Sequence, residues 1–247
     1  MLHDPIALWV VGAAVHPAAT TTAATPDELL NRPLALVVAL ALVGVLPFLF
    51  MTLTSFVKIS TVLHIARSAI GAPEVPSSTV VIALAGALTL LAMAPVGTRI
   101  ADRVTPLLEP HAGETTAAWV HEVVTAVREP LRGFLAVNAS PRQKARFFEL
   151  AKRARGVAGK DSVTKDDLAV VIPAFLVTEL MEAFALGFAI YLPFLVVDLV
   201  VANVLVALGM QALAPTQVSL PFKLLLFVAA DGWGLLSQAL VSGYASG

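Results

Sequence analysis

Long apolar runs that carry few or no charges alternate with polar segments along the chain. Four of these runs reach about 20 residues or more, the length that a helix needs to cross a bilayer. They cover residues 33–57, 75–98, 183–213 and 218–241. None alternates residue by residue between apolar and polar, as a half-buried strand does. The pattern therefore predicts an all-α membrane protein with four long apolar helical segments.

A polar stretch separates the two pairs of apolar runs. It contains twelve of the sixteen Lys and Arg residues and nine of the seventeen Asp and Glu residues. We therefore divide the chain into an N-terminal segment, a first helical hairpin, a polar helical segment and a C-terminal helical hairpin with a turn. These four parts are residues 1–33, 34–98, 99–168 and 169–247.

Two helices are predicted inside the polar segment. Apolar residues recur at helical spacing over residues 117–134, where Pro130 is expected to kink or interrupt the helix. A second helix should begin at Pro141, because Ser140 suits the N-cap and Gln143 follows three positions after it. The polar segment thus has helices of its own.

The N-terminal segment is open to two interpretations. A short apolar run over residues 6–15 precedes the small-residue stretch 18–25, which is the order found in a signal peptide. No Lys or Arg occurs before Arg32, however, so the usual basic start of a signal peptide is missing. The alternative is a disordered or loosely packed segment.

Composition agrees with a membrane protein. Hydrophobic residues make up 58% of the chain and charged residues 13%, and mean hydropathy is +0.86. A soluble domain carries about 25% charged residues, so the excess apolar surface must face lipid or other subunits. The net charge of −1 gives no indication of a nucleic-acid partner. The absence of cysteine excludes disulfides and Cys-ligated metals.

Five charged residues lie in or beside the last two apolar runs. They are Glu179, Glu182, Asp198, Lys223 and Asp231. A charge near the centre of a membrane helix costs roughly 2.5–3.5 kcal/mol on insertion scales, so these groups should pair, neutralise or face water. Lys223 is the only cation in this part of the chain, which makes it the expected partner for one of the acids.

Each of these charges also has a simpler interpretation. Glu179 and Lys223 could lie at helix ends and extend to the headgroups. Asp198 lies in the middle of a run, where it would be a hydrogen-bonded structural residue or part of a proton or ion relay. The alternative function that follows is an ion or proton transporter that uses Asp198, with Glu179 and Lys223 as gating groups.

The residues give no indication of catalysis. None of the five histidines forms an i, i+3 or i, i+4 pair, and neither a phosphate-binding loop nor a nucleophile elbow occurs. We therefore expect no enzyme, no catalytic residues, no metal and no cofactor. The basic residues over 142–155 read as a solvated helix face, or as a surface for anionic lipid or a partner.

Four stretches resemble one known family in order and spacing. They are Leu46–Gly71, with Thr-Ser-Phe-Val-Lys-Ile at 54–59; Met93–Val96; Pro173–Leu199, ending in Leu-Pro-Phe-Leu-Val-Val-Asp-Leu; and Ala207–Trp233, with Pro-Phe-Lys and Asp-Gly-Trp. Together they are similar to the FliP/SctR (YscR) family of type III secretion export-apparatus proteins. The N-terminal 45 residues and much of the polar segment match poorly.

The resemblance implies a core subunit of the export gate, through which unfolded substrates cross the bacterial inner membrane. It implies bent helical hairpins in a pentameric ring, with SctS/FliQ-like and SctT/FliR-like membrane subunits as partners. It also places the polar segment on the periplasmic side, whereas a positive-inside count favours the cytoplasm; that rule is unreliable for loops longer than about 60 residues. Ser55–Ile59 looks closer to injectisome-type than to flagellar members.

Individual positions also follow from the resemblance. Glu179 and Lys223 match a salt bridge between neighbouring subunits. Met210, Gln211 and Ala212 match a Met-rich pore constriction, of which only Met210 keeps the pattern, so we expect a looser or more polar seal.

Other polar and aromatic residues in the last two apolar runs are expected to be buried structural residues. They are Asp198, Asn203, Asp231 and Trp233.

Overall fold

The computed structural model describes residues 26–72, 76–108, 116–155, 163–210 and 212–244. Within these ranges the chain is helical and contains no strand. The helices are α1 (Pro26–Leu53), α2 (Phe56–Ile70), α3 (Ser78–Val104), α4 (Thr116–Asn138), α5 (Pro141–Ala154), α6 (Leu168–Ala207), α7 (Pro215–Ala229) and α8 (Gly232–Ser242), with a 3-10 turn at Thr105–Leu108. The candidate signal peptide falls on residues 1–25, outside the described residues, and stays a prediction.

The prediction of an all-α membrane protein with four apolar segments is confirmed. Two helices are long and apolar enough to cross a bilayer alone, Ser78–Leu108 and Leu168–Ala207. Two bent pairs are each apolar and long enough to form one further span. They are Val43–Leu53 with Phe56–Ile70, bent by 71°, and Pro215–Ala229 with Gly232–Ser242, bent by 57°.

The bend between α1 and α2 has a local cause in the sequence. The Thr54 hydroxyl accepts a hydrogen bond from the amide of Phe56 at 3.3 Å and donates one to the carbonyl of Phe50. The hydroxyl thus accepts from the amide of Phe56, which a continuous helix would pair with the carbonyl of Thr52. A side-chain hydrogen bond in place of a backbone one explains a sharp turn without proline.

The bend between α7 and α8 depends on Asp231 and Gly232. Asp231 has left-handed backbone angles, φ 49° and ψ 48°, which Asp tolerates better than most residues. A Cβ atom on Gly232 would collide with the ring of Phe227. Phe227 in turn meets Trp233 edge to face, with ring centroids 5.1 Å apart. Glycine is therefore required here so that α8 can fold back onto the end of α7.

The chain divides into two units, residues 1–45 and residues 46–247. In the first, the described part is the helix from Pro26 to residue 45. In the second, α2 packs along α6 with a close approach at Gly187, where a Cβ atom would lie 2.5 Å from Cδ1 of Ile65. Helices α2, α3, α6 and α8 share one buried cluster, which includes Leu63, Val81 and Leu240.

The polar segment packs on the other half of α6. Phe134 of α4 and Phe175 of α6 meet in a second buried cluster, with ring centroids 5.7 Å apart. The predicted start of α5 is confirmed, because the Ser140 side chain accepts from the amide of Gln143 at 3.3 Å. Helix α4 continues through Pro130, so the helix is not interrupted there, and the alternative of a kink stays a prediction. Pro130 is buried, and it leaves the helix without one backbone hydrogen bond.

Candidate functional site

The first charge cluster joins α2 to α6. The ammonium group of Lys58 lies 3.3 Å from Oε1 of Glu179 and 2.8 Å from Oε2 of Glu182. The side chains of Lys58 and Glu179 are only 4% and 1% exposed, whereas that of Glu182 is 52% exposed. One cation therefore meets two carboxyl groups, of which only Glu182 reaches the surface.

Tyr244, beyond the end of α8, completes this cluster. Its hydroxyl donates to Oε2 of Glu179 and lies 3.3 Å from the carbonyl oxygen of Ser55. The Lys58 ammonium lies 4.0 Å from the centroid of the Tyr244 ring, a cation–π contact. Burial, and then the Glu179 carboxylate, raise the pKa of the Tyr244 phenol. The hydroxyl thus stays protonated and remains a donor.

The second charge cluster joins α6 to α7. Lys223 lies 2.5 Å from Oδ2 of Asp198, and the Ser219 hydroxyl donates to the other carboxylate oxygen. A Cβ atom on Gly71, at the end of α2, would lie 3.8 Å from the Lys223 ammonium. A cation is favoured there, because the carboxyl end of a helix carries partial negative charge. Lys223 is buried, and Asp198 is 24% exposed.

These contacts bear on the predicted pair of Glu179 and Lys223. Within one chain each of the two has a different partner, Lys58 for Glu179 and Asp198 for Lys223. The expectation that Lys223 neutralises one of the acids is met by Asp198. The salt bridge between subunits stays a prediction, and it must compete with both contacts inside the chain.

The predicted constriction lies at the turn between α6 and α7. Gly209 ends α6 with a φ of 72°, and the amide of Met210 closes the helix by donating to the carbonyl of Leu205 at 2.9 Å. Met210 is 44% exposed, and Ala212 is also exposed. Gln211 lies outside the described residues. Met210 thus stands at the tip of the hairpin with its side chain uncovered.

The remaining predicted structural residues differ in burial. Asp198 is half-buried in its ion pair, and Trp233 is half-buried against Phe227. Asn203 and Asp231 are exposed in the single chain. Their burial inside an assembly stays a prediction.

Three residues of the clusters were missed as site residues: Lys58, Ser219 and Tyr244. A signal for Lys58 was present in the charge balance, because Lys223 alone cannot neutralise the four acids in or beside the last two apolar runs. No pattern in the sequence links Tyr244 to Glu179, since the contact depends on how α8 folds back. In the described part of the chain, no group of three or more His, Asp or Glu residues could hold a metal ion.

An apolar groove of about 560 Å³ runs between α6 and α7. Its walls include Val196, Val200, Val204, Leu208 and Phe222. Many large apolar side chains along both helices are exposed, including Phe222 at 55%. This surface requires lipid or protein to cover it.

The fold and its clusters define the class: a multi-span helical membrane protein whose buried charges tie its helices together. The chain belongs to the FliP family, whose profile matches residues 39–240. It is 40% identical to the hypersensitivity response secretion protein HrcR of Ralstonia nicotianae, over 85% of this chain and 96% of that protein. It is 37% identical to the Yop proteins translocation protein R of Yersinia pestis, over 89% of this chain and 97% of the relative. The virulence protein YscR of Salmonella typhimurium is 36% identical, over 87% and 98% respectively.

Proposed function

We propose that this chain is a core subunit of a type III secretion export gate, which forms the channel for unfolded substrates across the inner membrane. Family membership over most of the chain supports this function. The relatives are named for secretion, translocation and virulence, which favours an injectisome-type system over a flagellar one. The names of these relatives describe transport, in agreement with the proposal.

The length and exposure of α6 carry the proposal that several copies assemble. Its 40 residues extend about 60 Å at 1.5 Å per residue, twice the hydrocarbon thickness of about 30 Å. Large apolar side chains are exposed along its length, from Met181 to Phe188 and Val206. Lipid covers about half of such a helix, so protein neighbours must cover the rest.

The proposed assembly is a pentamer that includes SctS/FliQ-like and SctT/FliR-like membrane subunits and extends to the periplasmic side. Native mass spectrometry on the detergent-extracted protein, expressed with its genomic neighbours, tests this directly. We expect a ring of five copies that carries smaller membrane subunits. A monomer or dimer without partners would contradict the export gate and favour the transporter.

Within this assembly we propose that Glu179 pairs with Lys223 of the neighbouring subunit. The ring fraction should fall in the single reversals Glu179→Lys and Lys223→Glu and recover when both are combined. The in-chain contacts supply matched controls: the swap of Lys58 with Glu179 and the swap of Asp198 with Lys223. If the ring fraction recovers in these two swaps but not in the swap of Glu179 with Lys223, the charges pair within the single chain. Normal rings in both single reversals would contradict the intersubunit pair.

We further propose that the turn at Met210, Gln211 and Ala212 forms the pore constriction. Met side chains adapt to a passing chain, and Gln211 weakens that seal. Gln211→Met should therefore lower ion leak through the assembled gate. Gln217→Met is the matched control, because it makes the same change on the exposed face of α7. Equal leak in the two variants would place the seal elsewhere.

The polar segment is proposed to lie on the periplasmic side. The chain has no cysteine, so a single Arg146→Cys substitution on the exposed face of α5 gives a clean probe. A membrane-impermeant thiol reagent should label it from the periplasm in intact cells with a permeable outer membrane. Labelling only after the inner membrane is opened would reverse the topology.

A further inference from the structure

We infer that Tyr244 is a positioning residue, which holds the Glu179 carboxylate in its buried contact with Lys58 and joins the segment after α8 to the charge cluster. This assignment goes beyond the proposed function in naming a residue that sets the geometry of Glu179. Its relevance to subunit pairing rests on that proposed function.

The two oxygens of Glu179 have different donors. Oε1 accepts from Lys58 at 3.3 Å, and Oε2 accepts from the Tyr244 hydroxyl. Lys58 is closer to Glu182, at 2.8 Å, than to Glu179. The cation alone therefore does not fix the buried carboxylate. Without the hydroxyl, Oε2 of Glu179 would be buried and would lose this hydrogen-bond donor. Loss of a partner by a buried polar atom destabilises the fold.

The ring of Tyr244 adds a second constraint. It stacks on Phe134 of α4, with centroids 5.9 Å apart and planes 28° apart, and the Lys58 ammonium lies 4.0 Å from its centroid. One side chain thus contacts α2, α4 and α6 from the end of α8. The packing of Tyr244 after α8 and the orientation of Glu179 are therefore coupled.

This coupling matters for assembly. A carboxylate offers about four lone-pair positions. Lys58 and Tyr244 occupy two of them from inside the chain. A neighbouring subunit's lysine can bind Glu179 only at the positions that these two donors leave free. Because the Glu179 side chain is only 1% exposed, such a lysine reaches the carboxylate only when the contacts that hold it inside the chain open, and the Tyr244 hydroxyl is one of those contacts.

Lysine labelling of the purified full chain in detergent tests the inference without any ring. An amine-reactive reagent is applied and the labelling rate of each lysine is read by mass spectrometry. Tyr244→Ala removes hydroxyl and ring, and Tyr244→Phe removes the hydroxyl alone. Tyr191→Phe is the matched control, because Tyr191 is the only other tyrosine and is exposed. Lys223, buried in the second cluster, is the internal reference.

We expect labelling of Lys58 to rise at least about tenfold in Tyr244→Ala, the factor for loss of a charge-assisted hydrogen bond. It should rise less in Tyr244→Phe, stay unchanged in Tyr191→Phe, and leave Lys223 unaffected throughout.

Three results would overturn the inference. The first is a labelling rate of Lys58 that stays low in Tyr244→Ala, and the second is an equal rise in labelling at Lys58 and Lys223, which would indicate general loosening. The third is wild-type labelling of Lys58 in Tyr244→Phe, which would remove the role of the hydroxyl. Because no partner is present, each result is independent of whether the ring forms.

Discussion

Lys58 and Glu179 are 121 residues apart in the chain and form a buried salt bridge at 3.3 Å. The contact joins α2 to α6, two helices of the second unit that pack along each other. Glu182 and Tyr244 share the same cluster. Buried charges of this kind stabilise a fold only while every partner is present.

Removal of Lys58 should therefore be costly. In Lys58→Met the Glu179 carboxylate keeps the Tyr244 hydroxyl but loses its cation, and we expect a loss of about 3–5 kcal/mol in the free energy of unfolding. Denaturant titration in detergent measures this. Lys152→Met is the matched control, because Lys152 pairs with Glu149 at the surface, where an ion pair contributes about 0–1 kcal/mol. Equal losses in the two variants would contradict a buried role for Lys58.

Asp198 distinguishes a structural acid from a proton relay. Asp198→Asn leaves the buried Lys223 without a carboxylate and should destabilise the protein by about 3 kcal/mol. The double variant Asp198→Leu, Lys223→Met should recover most of that loss, because no buried charge remains. Asp231→Asn, at an exposed acid, is the control. The transporter would be supported by two results together. Asp198→Asn would keep normal stability, and proteoliposomes would show proton flux with the wild type but none with the variant.

The close approach of α2 to α6 predicts intolerance at Gly187. In Gly187→Ala the new methyl group meets Ile65, and we expect a loss of about 1–3 kcal/mol from overpacking. Ile65→Ala in the same chain should restore part of it. Gly86→Ala on α3 is the control, because its Cβ meets nothing within 4 Å and alanine favours a helix. A neutral Gly187→Ala would show that the two helices separate easily.

The raised pKa of Tyr244 predicts a dependence of stability on alkaline pH. Because burial, and then Glu179, keep the phenol protonated in the fold, the folded state binds the proton more tightly than the unfolded state. The stabilisation is complete below the unfolded pKa of about 10 and is lost as pH rises above it, by about 1.4 kcal/mol per pH unit.

Comparison of wild type with Tyr244→Phe at pH 9 and pH 11 isolates this effect. The other titratable groups of the cluster, Lys58, Glu179 and Glu182, are present in both proteins. The stability advantage of wild type should shrink at pH 11. A constant difference would mean that the phenol is not held protonated by the fold.

Much of the secondary structure was predictable because it depends on local chemistry. The cap at Ser140 and Pro141 marked the start of α5, since a side chain three residues from an amide can satisfy it in any context. Pro130 is different, because α4 continues through it although a kink or an interruption was expected. Whether a helix tolerates proline depends on what buries it, and the local pattern does not contain that information.

The sequence by itself determined the membrane class, the apolar segments and the presence of charges that had to be neutralised, because these depend on composition and on periodicity along the chain. It also indicated that Lys223 would pair with an acid. Only the tertiary structure decided that this acid is Asp198 and that Lys58 and Tyr244 bind Glu179. Salt bridges and hydrogen bonds act over a few ångströms in space, and the bends at Thr54 and Asp231 set which distant residues come that close.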